Sequence, residues 1–311
     1  MKIVFFGTAN VALPILEKLH QQHQVLAAVT NPDAPVGRKK IMEESPVSAL
    51  ARDLKLKTFK PERVKNNPQF LQELRQLGAD IFVVVAYGKI LPPEVISLPP
   101  KQTVNVHFSA LPKYRGPSPI QYALWNGETQ TGTSIFILDE EVDHGPLLAQ
   151  QIVNIDPDDN YFTLSDRLAR VSADLLLATL SDYQAGRLTP LPQDHTAATY
   201  CKMISKQDGK IDWRKPAAEI YNQFRAFYPW PGIWTAYNGK KVKILDCALS
   251  GVAGLDPVSL SHTGLVAAGG RVVCGNNTAL QIKSLQPEGK SEMDISSFLN
   301  GYQGFIGSTL G

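Results

Sequence analysis

Strand and helix signals alternate along the chain up to about residue 180, and beyond that point only short strand-like runs recur. That change of rhythm limits the fold more than any single motif. The runs KIVFF (2–6), VLAAVT (25–30), 80–86, TVNVHF (103–108) and TSIFIL (133–138) read as strands. Between them Val11, Ala12, Ile15, Leu16 and Leu19 recur at helical spacing, as do Phe70, Leu71, Leu74 and Leu77. Gly78 is placed to stop the second helix. A third helix is expected over 162–180 from Leu164, Leu168, Val171 and Leu175, with Thr163 and Asp166 as its cap. Strand-helix-strand repetition predicts an α/β unit with a Rossmann-like, mostly parallel sheet covered on both faces.

After Tyr183 the tract QAGRLTPLPQDHTAATY (184–200) has no apolar period and two prolines, which reads as a linker. One helix is expected over 215–227, with Pro216 in its first turn. Then IWTAY, KVKILDCAL, RVVCG and ALQIKSLQ follow, separated by Asn-Gly, Gly-Gly and Gly-Asn-Asn. Such punctuation predicts a small antiparallel barrel or sandwich. The expected division is therefore 1–183, a linker over 184–203, and a second domain over 204–311.

Composition narrows the function. With 311 residues, 43% of them hydrophobic, and a net charge of +2, the chain can bury two cores and lacks the signature of disorder. Three cysteines with no C-x-x-C pair argue against a disulfide scaffold or a zinc site. The amino terminus reads as a buried strand rather than a signal peptide, and no apolar run reaches the ~18 residues a membrane span needs. A cytoplasmic protein with no membrane association is expected. Residues 201–311 carry 12 Lys+Arg against 8 Asp+Glu, while the first 200 carry 19 against 21. The asymmetry permits a polyanionic partner for the second domain, although an ordinary solvated surface is the plainer reading.

Two nucleotide motifs are missing. FFGTANVALP has a lone Gly7 where a dinucleotide site needs G-x-G-x-x-G, and no P-loop occurs. The polar residues gather instead where strands of a parallel sheet should end. Asn105 and His107, two apart in a strand, share a face. An amide donor beside an imidazole suits oxyanion stabilisation or acid-base work, although a strand-end pair bonded to its neighbours is the plainer reading of N-x-H alone. SALPKYRGPSP (109–119) is a polar loop with Lys113 and Arg115. LDEEVDHGP (138–146) carries Asp139, Glu140, Glu141, Asp143 and His144, and is expected to return to the same sheet edge, where one carboxylate facing His107 would orient the ring. In NPDAPVGRKKIMEESPV (31–47) the run Arg38, Lys39, Lys40 reads as solvated surface or as a phosphate-contacting loop.

Taken in order, AYGKILP (86–92), N-x-H (105–107), ALPKYRG (110–116), D-x-G (143–145), ISKQDGKIDW (204–213), RAFYPWPG (225–232) and LQPEGKSEM (285–293) resemble the methionyl-tRNA formyltransferases over essentially the full chain. The first four are shared among formyltransferases that use 10-formyltetrahydrofolate, and the last three lie in the domain associated with tRNA. The resemblance implies a formyltransferase fold with an OB-like carboxy-terminal barrel, and metal-independent formyl transfer from 10-formyltetrahydrofolate to methionyl initiator tRNA by a monomer. It implies catalytic roles for Asn105, His107 and Asp143, and folate contacts at Ser109, Ala110, Leu111 and Pro112 and the backbone of Ile90 and Leu91. It further implies tRNA contacts at Arg38, Lys39 and Lys40, with Lys206, Lys210, Lys240, Lys241 and Lys243 available for phosphates. Phe108, Ala110, Glu141 and His144 depart from the family pattern around the folate pocket, and Ala34 departs in the basic loop. A sugar-nucleotide N-formyltransferase and a formyltetrahydrofolate hydrolase would share the catalytic strings, and a silent tRNA-binding module is the reading from another class. The long basic loop and the string from ISKQDGKIDW to RAFYPWPG favour the tRNA substrate.

Overall fold

A computed structural model describes residues 1–36, 41–255 and 260–311. The chain forms two compact units. The first comprises Met1–Pro119, Gln130–Asn154 and Leu164–Lys202; the second comprises Ile120–Thr129, Ile155–Thr163 and Met203–Gly311.

In the first unit the strands are β1 (Lys2–Gly7), β2 (Gln24–Val29), β3 (Ala34–Val36), β4 (Ile41–Glu43), β5 (Lys57–Phe59), β6 (Ile81–Val85), β7 (Thr103–His107), β8 (Gln130–Ile137) and β9 (Leu147–Asn154). Seven of them make one sheet in the order β5-β2-β1-β6-β7-β8-β9, and β3 and β4 pair antiparallel in a separate two-stranded sheet. The five strands from β5 to β7 are parallel; β8 and β9 each run antiparallel to the strand before them. Ile3, Val4, Phe5 and Phe6 are all fully buried, as a central strand covered on both faces requires. Val4 and Phe6 join Phe82, Val84, Phe70 and Leu74 in one core, where the Phe6 ring lies 5.3 Å from Phe82 and 5.6 Å from Tyr87.

Local signals explain the helix ends. The helix Pro68–Leu77 begins at Asn67, whose side chain accepts the Phe70 N–H at 3.1 Å, and stops at Gly78, which takes φ 59°. The helix Tyr161–Gln184 is capped by Asn160 rather than by Thr163 and Asp166. Asn160 accepts from the Thr163 N–H at 3.1 Å, and its own N–H donates to the Thr163 hydroxyl at 3.0 Å. Thr163 is thus the far member of the capping box, because the amide at 160 sits one turn earlier and reaches the same donors.

The second unit carries the helix Ala217–Phe227, for which Pro216 is the N-cap residue rather than part of the first turn. Its strands are β10 (Ile233–Tyr237), β11 (Lys240–Ser250), β12 (Val266–Ala267), β13 (Arg271–Cys274), β14 (Thr278–Pro287) and β15 (Met293–Asp294). They form an antiparallel sheet in the order β10-β11-β14-β13-β12 with β15 on β14, consistent with an OB-like domain. Asn238 and Gly239, at φ 49° and 72°, close the β10–β11 hairpin. Among the described residues no helix is long and apolar enough to cross a membrane.

Candidate active site

β7 places Asn105 and His107 on one face of the sheet, two residues apart and next to the end of the parallel block. Because β8 is antiparallel, Ile137 lies beside Val104, so the loop after it leaves at the start of β7 and not at its carboxy-terminal edge. The expectation that this loop returns to the same edge is corrected by that strand direction. The loop folds back instead: the Ile137 N–H donates to Pro146 O at 3.0 Å, and a Cβ at Gly145 would lie 1.9 Å from Ile137 O. This close approach is why the third residue of D-x-G is glycine, and it brings Asp143 over the β7 face.

Of the four carboxylates in the loop, Asp143 is the one that meets the strand pair. Its Oδ1 lies 3.5 Å from Asn105 Nδ2, and its Oδ2 lies 3.5 Å from His107 Nδ1. The Gly116 N–H donates to Oδ2 at 2.7 Å. His107 is buried, and its Nε2 is 2.9 Å from Tyr114 O. A carbonyl only accepts, so Nε2 bears the proton and Nδ1 faces the carboxylate. Asp139 is occupied elsewhere, pairing with His144 Nδ1 at 2.7 Å, while Glu140 and Glu141 are exposed.

The loop after β7 is tied down by side chains. Ser109 is fully buried and donates to Lys113 O at 2.6 Å; Ser134 donates to Ser109 O at 2.7 Å and accepts the Leu111 N–H at 3.1 Å. Gln150 donates to Leu111 O at 2.8 Å. Of the residues expected to meet folate, Ser109 and Leu111 therefore build the turn, and Ala110 and Pro112 are its partly open members. Ile90 is 84% exposed and Leu91 is buried in the Phe6–Tyr87 core, so the neighbouring backbone is presented at the surface by an anchored residue.

The tract expected as a linker supplies the rest. Leu191 pairs with Leu147, and Tyr114 N donates to Thr199 Oγ1 at 2.8 Å. Arg115, 2% exposed, donates to Gln193 Oε1 from Nε at 3.2 Å and Nη2 at 2.8 Å, and to His195 Nδ1 at 2.9 Å. Gln193 Nε2 in turn donates to Asp143 O at 2.9 Å and Gly145 O at 2.8 Å. The rings of His144 and His195 stack at 4.0 Å. Cys201 is buried against Arg115 O at 3.3 Å, and burial pushes its thiol up to about 11. Nothing in the sequence marks Gln193, His195 and Cys201 for this placement, because they follow no periodicity; polar side chains in a tract too irregular for an element are the only signal.

In the second unit four of the expected lysines neighbour Trp234, Lys241 through its ammonium and the others through the main chain. Lys241 Nζ sits 4.0 Å from the centroid of the Trp234 ring, Lys243 is the cross-strand partner of Trp234, Lys210 bridges to it, and Lys206 O accepts its Nε1–H at 3.1 Å. Burial lowers the Lys241 ammonium, and the charges of Lys243 and Lys206 lower it further. Lys240 lies at the exposed end of the hairpin. Arg38, Lys39 and Lys40 lie outside the described residues. No group of three or more metal-ligating side chains occurs among the described residues.

The chain has relatives of known family. Residues 1–180 match the formyl transferase family model and residues 203–303 match that of the formyl transferase carboxy-terminal domain. A methionyl-tRNA formyltransferase of Caldanaerobacter subterraneus subsp. tengcongensis is 43% identical over 306 residues, 97% of each chain. One from Caldicellulosiruptor saccharolyticus is 40% identical over 305 residues, again 97% of each. The fold is also that of WlaRD, a sugar 3N-formyl transferase crystallised in the presence of dTDP and 5-N-formyl-THF, at a TM-score of 0.63 and 19% identity over 94% of this chain and 99% of that one. With both family models matched and relatives at 40–43% identity over 97% of each chain, the chain belongs to the methionyl-tRNA formyltransferase family.

Proposed function

We propose that the chain moves the formyl group of 10-formyltetrahydrofolate to the α-amine of methionyl initiator tRNA, giving N-formylmethionyl-tRNA for translation initiation. The observation that carries this reading is the meeting of Asn105, His107 and Asp143 in a chain that its tRNA-formylating relatives match from end to end. Asn105, His107 and Asp143 are the catalytic residues. The uncharged amine attacks the formyl carbon, a C–N bond forms, and charge develops on the formyl oxygen. Asn105 Nδ2–H and a protonated His107 Nδ1–H donate to that oxygen, since Nε2–H is already committed to Tyr114 O. Asp143 holds the ring and takes the proton of the attacking amine, and the bond from the formyl carbon to folate N10 then breaks with protonation of that nitrogen. The 3.5 Å separations leave room for the reacting group to take up donors that are long in the free enzyme.

On this reading residues 1–183 are the catalytic domain, 184–203 the connection and 204–311 the tRNA-binding domain. Ala110, Pro112 and the backbone of Ile90 and Leu91 meet the folate, with Ser109 and Leu111 shaping the loop. Lys206, Lys210, Lys240, Lys241 and Lys243 meet phosphates, and Arg38, Lys39 and Lys40 approach the acceptor end. The enzyme acts as a cytoplasmic monomer without a metal.

The test is transfer of labelled formyl from 10-formyltetrahydrofolate to methionyl initiator tRNA, beside methionyl elongator tRNA and a panel of amino-sugar nucleotides. Transfer to the initiator, lost in His107→Ala with tRNA binding retained, is the expected result. Transfer to a sugar alone would keep the catalytic assignment and overturn the tRNA substrate.

A further inference from the structure

We propose that Gln193 is a positioning residue for formyl transfer, holding the Asp143 loop in its working shape through a one-way chain of hydrogen bonds that starts at buried Arg115. The proposal rests on the formyl-transfer reading and deepens it. A guanidinium can only donate, so the Gln193 oxygen must be the atom facing Arg115, at 2.8 Å from Nη2. The amide nitrogen then faces two carbonyls, Asp143 O at 2.9 Å and Gly145 O at 2.8 Å, which can only accept. Both ends fix the same amide orientation, and each bond polarises the next.

The grip falls on a backbone that needs it. Asp143 has φ 49°, a left-handed conformation that a non-glycine residue adopts only when its surroundings enforce it. The direction of its carbonyl and that of its carboxylate are linked through one Cα. Clamping the carbonyl therefore aims Oδ2 at the Gly116 N–H, 2.7 Å away, and at His107 Nδ1. Gln193 is buried, and its amide hydrogens are spent on the loop carbonyls, so it acts through Asp143 and not on the reacting atoms.

The informative variant is Gln193→Glu in the full chain. A carboxylate still accepts from Arg115, which keeps the 191–201 tract in place, but it sets a negative oxygen against both loop carbonyls and supplies no donor. The Gly116 amide proton reports directly on the Asp143 carboxylate, with Asp143→Ala marking its unbonded chemical shift. We expect Gln193→Glu to move that resonance most of the way to the unbonded value, to lower kcat at least tenfold with KM for both substrates within twofold of wild type, and to displace the pH profile of kcat. Gln193→Met, which removes donor and acceptor together, serves if the charged variant does not fold, with the same readouts. A Gly116 resonance left at its wild-type position overturns the proposal, as does a moved resonance with unchanged kcat, or a loss of activity that follows a fall in Tm while the resonance stays. Should wild-type protein transfer no formyl group to any tRNA, the functional reading fails, and the Gly116 resonance still decides whether Gln193 sets the position of Asp143.

Discussion

The carboxylate of Asp143 accepts the main-chain N–H of Gly116 at 2.7 Å through Oδ2, the oxygen that also faces the His107 ring. The loop that follows β7 and the loop between β8 and β9 are thereby pinned to each other over the face that carries Asn105 and His107.

Gly116 is irreplaceable for two reasons. It takes φ 116°, and a Cβ there would lie 2.3 Å from the Cys201 carbonyl. Gly116→Ala must shift backbone against backbone, so it should cost ~2–4 kcal/mol of stability in denaturant unfolding. Loss of the N–H bond to Asp143 should also lower kcat well beyond what the remaining folded fraction explains, measured at a temperature where the variant is fully folded.

Asn105 offers a cleaner test of oxyanion stabilisation. Its amide lies 3.5 Å from Asp143, a weak contact whose loss should barely change the fold. Asn105→Ala should reduce kcat by about 10²–10³-fold, the usual cost of removing one oxyanion donor, with the tRNA KM nearly constant. Single-turnover formyl transfer with saturating tRNA checks this, and an unchanged rate would remove Asn105 from the mechanism.

The lysines around Trp234 should behave as phosphate contacts, not as base readers. Removing Lys206, Lys241 or Lys243 one at a time should weaken tRNA binding and reduce the slope of log K against log salt by roughly 0.7–0.9 per contact. Filter binding across a salt series reads both quantities. Lys241 carries the further expectation that Trp234→Leu weakens binding too, because the indole holds its ammonium in place at 4.0 Å.

The sheet was legible because burial on both faces leaves continuous apolar runs, as in KIVFF, where four residues are fully buried. N-x-H was legible as a pair because strand periodicity puts 105 and 107 on one face. The fold-back of the 138–146 loop was not, since nothing in TSIFIL says that β8 runs antiparallel to β7; that direction is set by which neighbour the strand finds. β9 also escaped, because LLAQQIVN is an edge strand with much of its length exposed and no clean alternation. Gln193 and Cys201 escaped for a related reason. Their partners are carbonyls and an arginine some fifty to eighty-six residues away in sequence, and such pairings leave no local pattern.

The three buried cysteines should make the fold lose stability as pH rises above the neutral range. Burial pushes the Cys201 thiol up to about 11 and the Cys274 thiol to about 12, and it raises Cys247 as well. In the unfolded chain a thiol ionises near 8.5. Below that value both states hold the proton and the full stability is present; as pH rises, the unfolded chain loses protons first and the folded state loses its advantage. Each thiol that stays neutral should subtract up to about 1.4 kcal/mol per pH unit between about 8.5 and its folded value. Urea midpoints from pH 7.5 to 10.5 should therefore fall progressively, and less steeply in Cys201→Ala than in the parent. The same burial predicts that none of the three thiols reacts with a soluble disulfide reagent at pH 8 until denaturant is added, whereupon all three react; rapid labelling of Cys201 in the native enzyme would show that the 191–201 tract opens more readily than its packing against Arg115 implies.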